Sequence, residues 1–354
     1  MRLKPLPLAI GIVLGLAGAG CGGGGSKQAT GQQRFETVTL ASVNNMLHLP
    51  EFVAVQKGFF AQNGLNVKLQ ILTSGNDVNK ALQTGQAELG GTSNTSLVAA
   101  RAAGESLKAV GSEMNDATST TYAGPLGIVG RADRGIKAGD PQSLVGKKLG
   151  TQGGTTNEEY LHRYLKANGI PLSKVKIVPL STSDHPVSVV KGDVDAVSSW
   201  EPYVAQEVRQ LGANAVVVSR GTPLIGYVIG VAATDTVIAQ HPDTLQKLIA
   251  GLAQASQWIR QNRQEAAQVA TNFLSGLDPQ DATAAMDHLT FDPRLSSCTT
   301  KVFADTATQL AAAGTIKTSL GGGDLVDASI MSQVQQAHPA WFSDLPKLPA
   351  SCSG

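Results

Sequence analysis

Six short stretches hold most of the side chains in this sequence that suit the capture of a small molecule. They are Asn44-Asn45-Met46-Leu47-His48, Thr73-Ser74-Gly75-Asn76, Gly91-Thr92-Ser93-Asn94-Thr95, Gln152-Gly153-Gly154-Thr155-Thr156, Ser181-Thr182-Ser183-Asp184 and Ser198-Ser199-Trp200-Glu201. Nearly all are hydroxyl, amide or glycine residues. Their chemistry is hydrogen bonding, and backbone N–H groups left free where a helix begins favour an oxyanion or another acceptor-rich group. Bond-breaking chemistry is not encoded at comparable strength. The chain has no G-x-S-x-G elbow. Gly146-Lys147-Lys148 lacks the upstream glycine of a phosphate loop, because position 141 is proline. The six histidines are scattered without metal-ligand spacing. No catalytic residue, cofactor or metal is expected.

The candidate ligand contacts are Asn44, Asn45, His48, Ser74, Gly75, Thr92, Ser93, Asn94, Gly154, Thr155, Thr156 and Glu201, with Tyr122 and Trp200 as ring faces. Each also has a plainer reading. Ser, Thr, Asn and Asp are ordinary helix caps, and Thr155-Thr156-Asn157-Glu158 fits a capping box. Trp200 offers its ring face or packs beneath its loop. Glu201 accepts from an amino group or opens the helix that Pro202 starts. His48 faces a cleft or sits half-buried in its loop. No arginine falls in the six stretches, so no permanent cation clamp is evident, which argues against a doubly charged ligand.

These stretches are spaced by a regular alternation. Strand patterns at 37–42, 67–72, 87–90 and 107–111 alternate with helix patterns at 50–60, 77–83 and 96–103. A second block repeats the theme, with strands at 148–151, 175–178, 194–197 and 215–218 and helices at 156–168, 185–191 and 202–211. Such alternation predicts parallel α/β sheets, and ligands on open α/β sheets bind beyond the carboxyl ends of the strands. Two apolar, glycine-containing segments, 122–129 and 224–231, bracket the second block and read as strands crossing between two domains. Beyond Thr234 the chain is helical, with Leu245, Leu248, Ile249, Leu252 and Ile259 forming one apolar stripe.

The start of the chain is an export signal. Arg2 and Lys4 precede an apolar run from Leu6 to Ala19, too short to span a bilayer, and small residues lead to Cys21. This layout predicts cleavage after residue 20 and lipidation of Cys21, although Gly18 stands where such signals usually carry a larger apolar residue. Residues 22–34, rich in Gly, Ser, Gln and Thr, read as a flexible tether of about 20 Å. With Cys21 set aside, Cys298 and Cys352 remain, and an even remainder in an oxidising compartment suggests a disulfide. The 28 basic and 27 acidic residues nearly cancel, with no basic run, which argues against nucleic acid as a partner.

Four strings taken in order resemble the bacterial solute-binding proteins of ABC importers for nitrate, sulfonates, taurine and thiamine precursors. They are 52–67 (FVAVQKGFFAQNGLNV), 81–90 (ALQTGQAELG), 146–156 (GKKLGTQGGTT) and 192–203 (GDVDAVSSWEPY). The resemblance covers about residues 37–275. It implies a periplasmic-binding-protein type II fold, two Rossmann-like lobes joined by two crossover strands. The expected organisation is a signal at 1–20, a lipidated tether at 21–35, lobe I from 36–123 plus 229–354, and lobe II from 124–228. It implies capture of a small polar or anionic organic molecule between the lobes of a monomer, and delivery to an ABC permease and its ATPase at a membrane reached through lipid on Cys21. The alternatives are a ligand-binding partner of a membrane sensor, or an exported enzyme on the same fold. The thiamine-precursor branch includes an enzyme with a cysteine-rich iron-binding string, and this chain has no clustered cysteines.

Overall fold

The computed structural model describes residues 36–117, 124–221 and 224–352. The expected signal and tether, Cys21 and Tyr122 lie outside the described residues. Among the described residues no helix is long and apolar enough to cross a membrane.

Strands and helices alternate as far as the second crossing. β1 (Glu36–Val43) leads to α1 (Leu49–Gln56), β2 (Leu65–Leu72) to α2 (Gly75–Gln83), and β3 (Leu89–Ser93) to α3 (Asn94–Ala102), followed by β4 (Leu107–Asn115). β5 (Leu126–Arg131) and β6 (Lys148–Thr151) precede α4 (Thr156–Ala167). β7 (Lys176–Pro179) and β8 (Ala196–Trp200) precede α5 (Tyr203–Leu211), and β9 (Ala215–Arg220) is followed by β10 (Val228–Thr234). The C-terminal helices include α6 (Pro242–Gln261), α7 (Pro279–Met286) and α8 (Ser297–Ala312).

Two sheets result, ordered β2-β1-β3-β10-β4 and β7-β6-β8-β5-β9. They are mixed, which corrects the expectation of parallel sheets. β10 runs antiparallel to β3 and β4, and β5 runs antiparallel to β8 and β9. The reason lies in the crossings. β4 and β9 end at the carboxyl edge of their sheets. A chain that steps directly to the other sheet enters at that sheet's carboxyl edge and must run backwards, because a parallel entry needs a long covering connection. The segments expected to cross are therefore largely strands of one sheet each, and the steps between sheets occupy the residues before them.

Local shifts have local causes. The helix pattern at 50–60 breaks at Gly58, whose φ of 72° ends α1 in the left-handed region. β3 and β8 each run farther toward the cleft than their patterns indicated. Thr92, Ser93, Ser198, Ser199 and Trp200 thus stand on strands, not in loops. The stripe on α6 is fully buried, from Leu245 to Ile259, and packs on α1. Burial of each such side chain contributes about 1.5–3 kcal/mol.

Cys298, in the first turn of α8, is paired with Cys352, with Cα atoms 4.7 Å apart across a sequence separation of 54. Closing a loop of that length removes about 4 kcal/mol of unfolded-state freedom. Reduction should therefore lower the melting temperature by several degrees while leaving the fold intact. Calorimetry with and without reductant measures this, and an unchanged melting point would contradict it.

Candidate functional site

A small cavity lies where the carboxyl ends of strands from both sheets meet. It is lined by Val43 at the end of β1, Asn45 and His48 after it, Gly75 at the start of α2, Thr92 and Ser93 at the end of β3, and Ser96 in the first turn of α3. Thr155 before α4 and Trp200 at the end of β8 close it from the second sheet, and Tyr227 and Ile229 line it from the second crossing and β10. Its volume of about 20 Å³ is little more than one water molecule requires. Contacts between the two sides surround it. Tyr203 donates its hydroxyl to the Asn44 carbonyl at 3.2 Å, Asn76 reaches the Gly154 carbonyl at 3.4 Å, and the Thr95 hydroxyl meets the Glu159 carboxylate. The lobes are closed on one another here.

Seven of the expected contacts line this cavity: Asn45, His48, Gly75, Thr92, Ser93, Thr155 and Trp200. The others sit elsewhere. Asn44 contributes its carbonyl to Tyr203. Ser74 caps α2, accepting from the Asp77 N–H. The Asn94 side chain is consumed, donating to the Gly226 carbonyl and the Thr306 hydroxyl and accepting from the Val228 N–H. Gly154 and Thr155 border a larger neighbouring groove of about 640 Å³ between α3, α4 and α8. Thr156 is buried one residue farther on. Glu201 is fully buried, pairs with Arg220 and accepts from the Ala205 N–H at 3.1 Å. It is occupied by its own lobe, and Arg220 is an arginine that the loop sequences did not show.

The capping reading holds for Asn45, Ser74 and Ser93, each of which accepts from a backbone N–H in the next turn. It fails at α4. Thr155 makes no side-chain cap there; its hydroxyl donates to the Gln152 carbonyl at 2.7 Å. Glu158 reaches past the cap position to the Gly154 N–H at 2.9 Å, so the expected box does not form. Gly154, with φ of 67°, makes the turn that allows this. The start of α4 therefore faces the cavity without a side-chain cap.

A residue that lines the cavity carries a buried donor without a partner. Trp200 is 5% exposed, and its Nε1–H is buried without a hydrogen bond. A buried donor left unmade costs about 1–3 kcal/mol. Behind it, β8 is pinned by a polar chain. The His185 Nδ1 contacts the Ser199 hydroxyl at 2.8 Å, and Ser199 donates to Glu207 at 2.5 Å. Burial lowers His185 to about 4 and raises Glu207. Serine, histidine and a carboxylate here do not make a nucleophile, because serine is the middle member and all three are buried.

On the other side, the His48 imidazole is fully buried and not half-exposed. Its Nδ1 lies 3.0 Å from Glu113 on β4 and 3.8 Å from Glu51 on α1, both fully buried. Burial alone would lower the His48 pKa, but the charges of Glu113 and Glu51 raise it to about 10. Burial, then the charge of Glu51, hold Glu113 well above the usual carboxylate range. A β-carbon on Gly91 would sit 2.2 Å from Nδ1, so only glycine admits this ring. The three donor groups lie within 4.8 Å of one another. With Nδ1 in direct contact with a carboxylate, we read them as an ion cluster and not as metal ligands. Sequence spacing missed the cluster because Glu113 arrives from a strand 65 positions away. Tyr227 and Ser96 were also missed, the first for lying in a crossing and the second inside a helix.

Comparison with known proteins gives these residues a setting. The family model described as "NMT1/THI5 like" matches residues 45–266. A putative aliphatic sulfonates-binding protein of Bacillus subtilis is 26% identical over 62% of this chain and 64% of its own length. A 4-amino-5-hydroxymethyl-2-methylpyrimidine phosphate synthase of Uromyces fabae is 33% identical over 30% of this chain and 29% of its own. The match thus spans less than two thirds of either relative. Among solved structures, the alkanesulfonate-binding protein SsuA of Xanthomonas axonopodis pv. citri, bound to MOPS, superposes with a TM-score of 0.71 at 20% identity, over 83% of this chain and 98% of that one. The fold is that of the periplasmic binding proteins, with two lobes.

The His48 cluster has a pH signature. Its folded pKa of about 10 lies above the unfolded value near 6.5. The native state therefore binds the proton more tightly, and the stability it contributes is complete below about pH 6.5 and lost as pH rises through about 10. The raised Glu113 acts with the same sign. Urea denaturation from pH 6 to pH 10 should show stability falling in that window, and His48→Gln should flatten the slope. An equal slope in the variant would remove His48 as its source.

Proposed function

The chain belongs to the NMT1/THI5-like family, and from that premise we propose that it is an extracytoplasmic solute-binding protein of an ABC importer. In this reading lobe I (36–123 plus 229–354) and lobe II (124–228) close around a small anion or acceptor-rich organic molecule and present it to a permease and its ATPase. The observation that carries the reading is the unpartnered Nε1–H of Trp200 in a cavity built by both lobes. An acceptor held there satisfies a donor that the protein leaves open, and hinge closure around it is the motion the two crossings permit. The Bacillus and Xanthomonas proteins, named for sulfonates, support the solute class. Cys21 would carry the lipid that keeps this monomer at the membrane.

Binding is favoured over catalysis although one relative is named a synthase. The cavity residues are hydroxyls, amides, an indole and an ion-paired imidazole, and the buried serine of lobe II has no access to it. Candidate contacts carried into this proposal are Asn45, His48, Gly75, Thr92, Ser93, Thr155 and Trp200.

A thermal-shift screen across alkanesulfonates, nitrate, aminopyrimidines and aromatic acids tests the reading, with mass spectrometry of anything released from the purified protein. A true ligand at a hundred times its Kd stabilises by about 2.7 kcal/mol. Trp200→Phe removes the donor together with the fused pyrrole ring, so affinity should fall about tenfold or more, and the ligand-free protein should stay folded with a somewhat lowered melting point. Stabilisation by no compound, or turnover of a bound one, would overturn the proposal.

A further inference from the structure

We propose that His48 is the charged anion-binding group of the cleft, with Glu113 and Glu51 as positioning residues that hold it charged from behind. The inference rests on the cleft being the solute site, and it names the group that recognises the solute's charge. The loop sequences offered no arginine for that role. The structure supplies a cation by a different route. His48 lines the cavity beside Asn45 and Thr92, while its Nδ1 is turned to the two carboxyl groups at 3.0 and 3.8 Å. Nε2, on the far side of the ring, is the nitrogen turned away from them. An imidazolium there directs a charged N–H at a ligand, which is shorter and stronger than a neutral donor.

Charge balance sets the protonation of the cluster. An imidazolium with two ionised carboxylates would carry one net negative charge in a site closed to water. Apart from His48 Nδ1, 3.0 Å from Glu113 and 3.8 Å from Glu51, no hydrogen-bond donor meets either carboxyl group. One proton shared by the carboxyl pair makes the cluster neutral, and Nε2–H then meets an anion without a negative charge behind it. Loss of that proton at alkaline pH restores the negative charge and weakens anion binding. The titratable groups facing His48 are Glu113 from β4 and Glu51 from α1, and Tyr227 lines the same cavity from the second crossing. Gly91 on β3 adds backbone only.

The test begins without any ligand. In the full chain labelled with ¹⁵N-histidine, and with His48 assigned through His48→Gln, both ring nitrogens should be protonated at pH 7.5. A neutral ring overturns the proposal, and so does stoichiometric zinc retained through dialysis and lost in Glu113→Gln. In Glu51→Gln/Glu113→Gln the carboxylates are gone, and the buried ring should be neutral at pH 7.5. The second arm uses ethanesulfonate and nitrate as probes. The double variant should bind them about tenfold more weakly than wild type at pH 7.5. Glu113→Gln alone, which fixes the neutral form, should hold one affinity as the pH is raised from 7.5, whereas that of wild type falls. Equal loss in both variants would mean a merely structural role. A charged ring in a protein that binds neutral solutes and no anion would refute the anion-binding role while leaving solute capture standing.

Discussion

The two crossings between the sheets are the constraint on which the rest of the molecule depends. Among the described residues a backbone hydrogen bond, from the Asp116 N–H to the Tyr227 carbonyl at 3.0 Å, ties one crossing to the other. Each crossing delivers its chain to the far sheet at the cleft edge, so β5 and β10 enter backwards and lie inside sheets that are otherwise parallel. β10 sits between β3 and β4, which makes the first lobe incomplete until the chain has returned from the second. Asn94 reinforces this by binding both the Gly226 carbonyl and the Val228 N–H as the chain returns. Tyr227 stands in this hinge and also lines the cavity, so a rotation of the lobes about the crossings changes the wall of the site directly.

What distinguishes the cavity from the cleft around it is the state of its polar groups. Around its edge, many donors and acceptors are matched within the protein: caps at Asn45, Ser74 and Ser93, and the Glu201–Arg220 pair. At its centre the matching stops. Trp200 leaves a donor unmet, α4 begins without a side-chain cap, and the two carboxyls behind His48 have only its ring nitrogen as a partner. Most buried polar groups in native proteins are satisfied, and the unmet indole of Trp200, on a residue that lines a cavity shared by both lobes, is the physical basis for placing a ligand there.

The sequence made the alternation, the buried stripe of α6 and the positions of most residues that line the cavity legible, because each rests on a local period or on residues that follow a strand. Rules about strand ends found Asn45, Gly75, Thr92, Ser93, Thr155 and Trp200 without knowledge of their neighbours. The direction of β5 and β10 was not legible, since nothing within those strands encodes where the chain came from. Nor was the role of Glu201. Its partner Arg220 lies on another strand, and a carboxylate that looks free in a loop is spent in the fold. Glu51 was hidden in an apolar helix pattern and Glu113 in a strand, so the ion cluster exists only once α1, β3 and β4 are assembled and Gly91 makes room for the ring.

The energetics of capture require these long-range features. A helix N-terminus favours an anion by about 0.3–2 kcal/mol, and the three that face this cavity together supply only a few. Micromolar affinity needs about 8 kcal/mol. Local capping geometry, the part most readable in the sequence, therefore falls short of a functional binding protein. The remainder must come from groups whose value depends on being out of water. A met indole donor contributes about 0.5–1.5 kcal/mol, a charged donor about 1.5–3, and closure excludes solvent from both. Those gains exist only when the lobes meet, so the same burial that leaves Trp200 and His48 costly in the empty closed form rewards closure over a ligand. Under the proposed function, capture and closure are in that sense one event, and the polar groups left unmatched at the centre are what couples them.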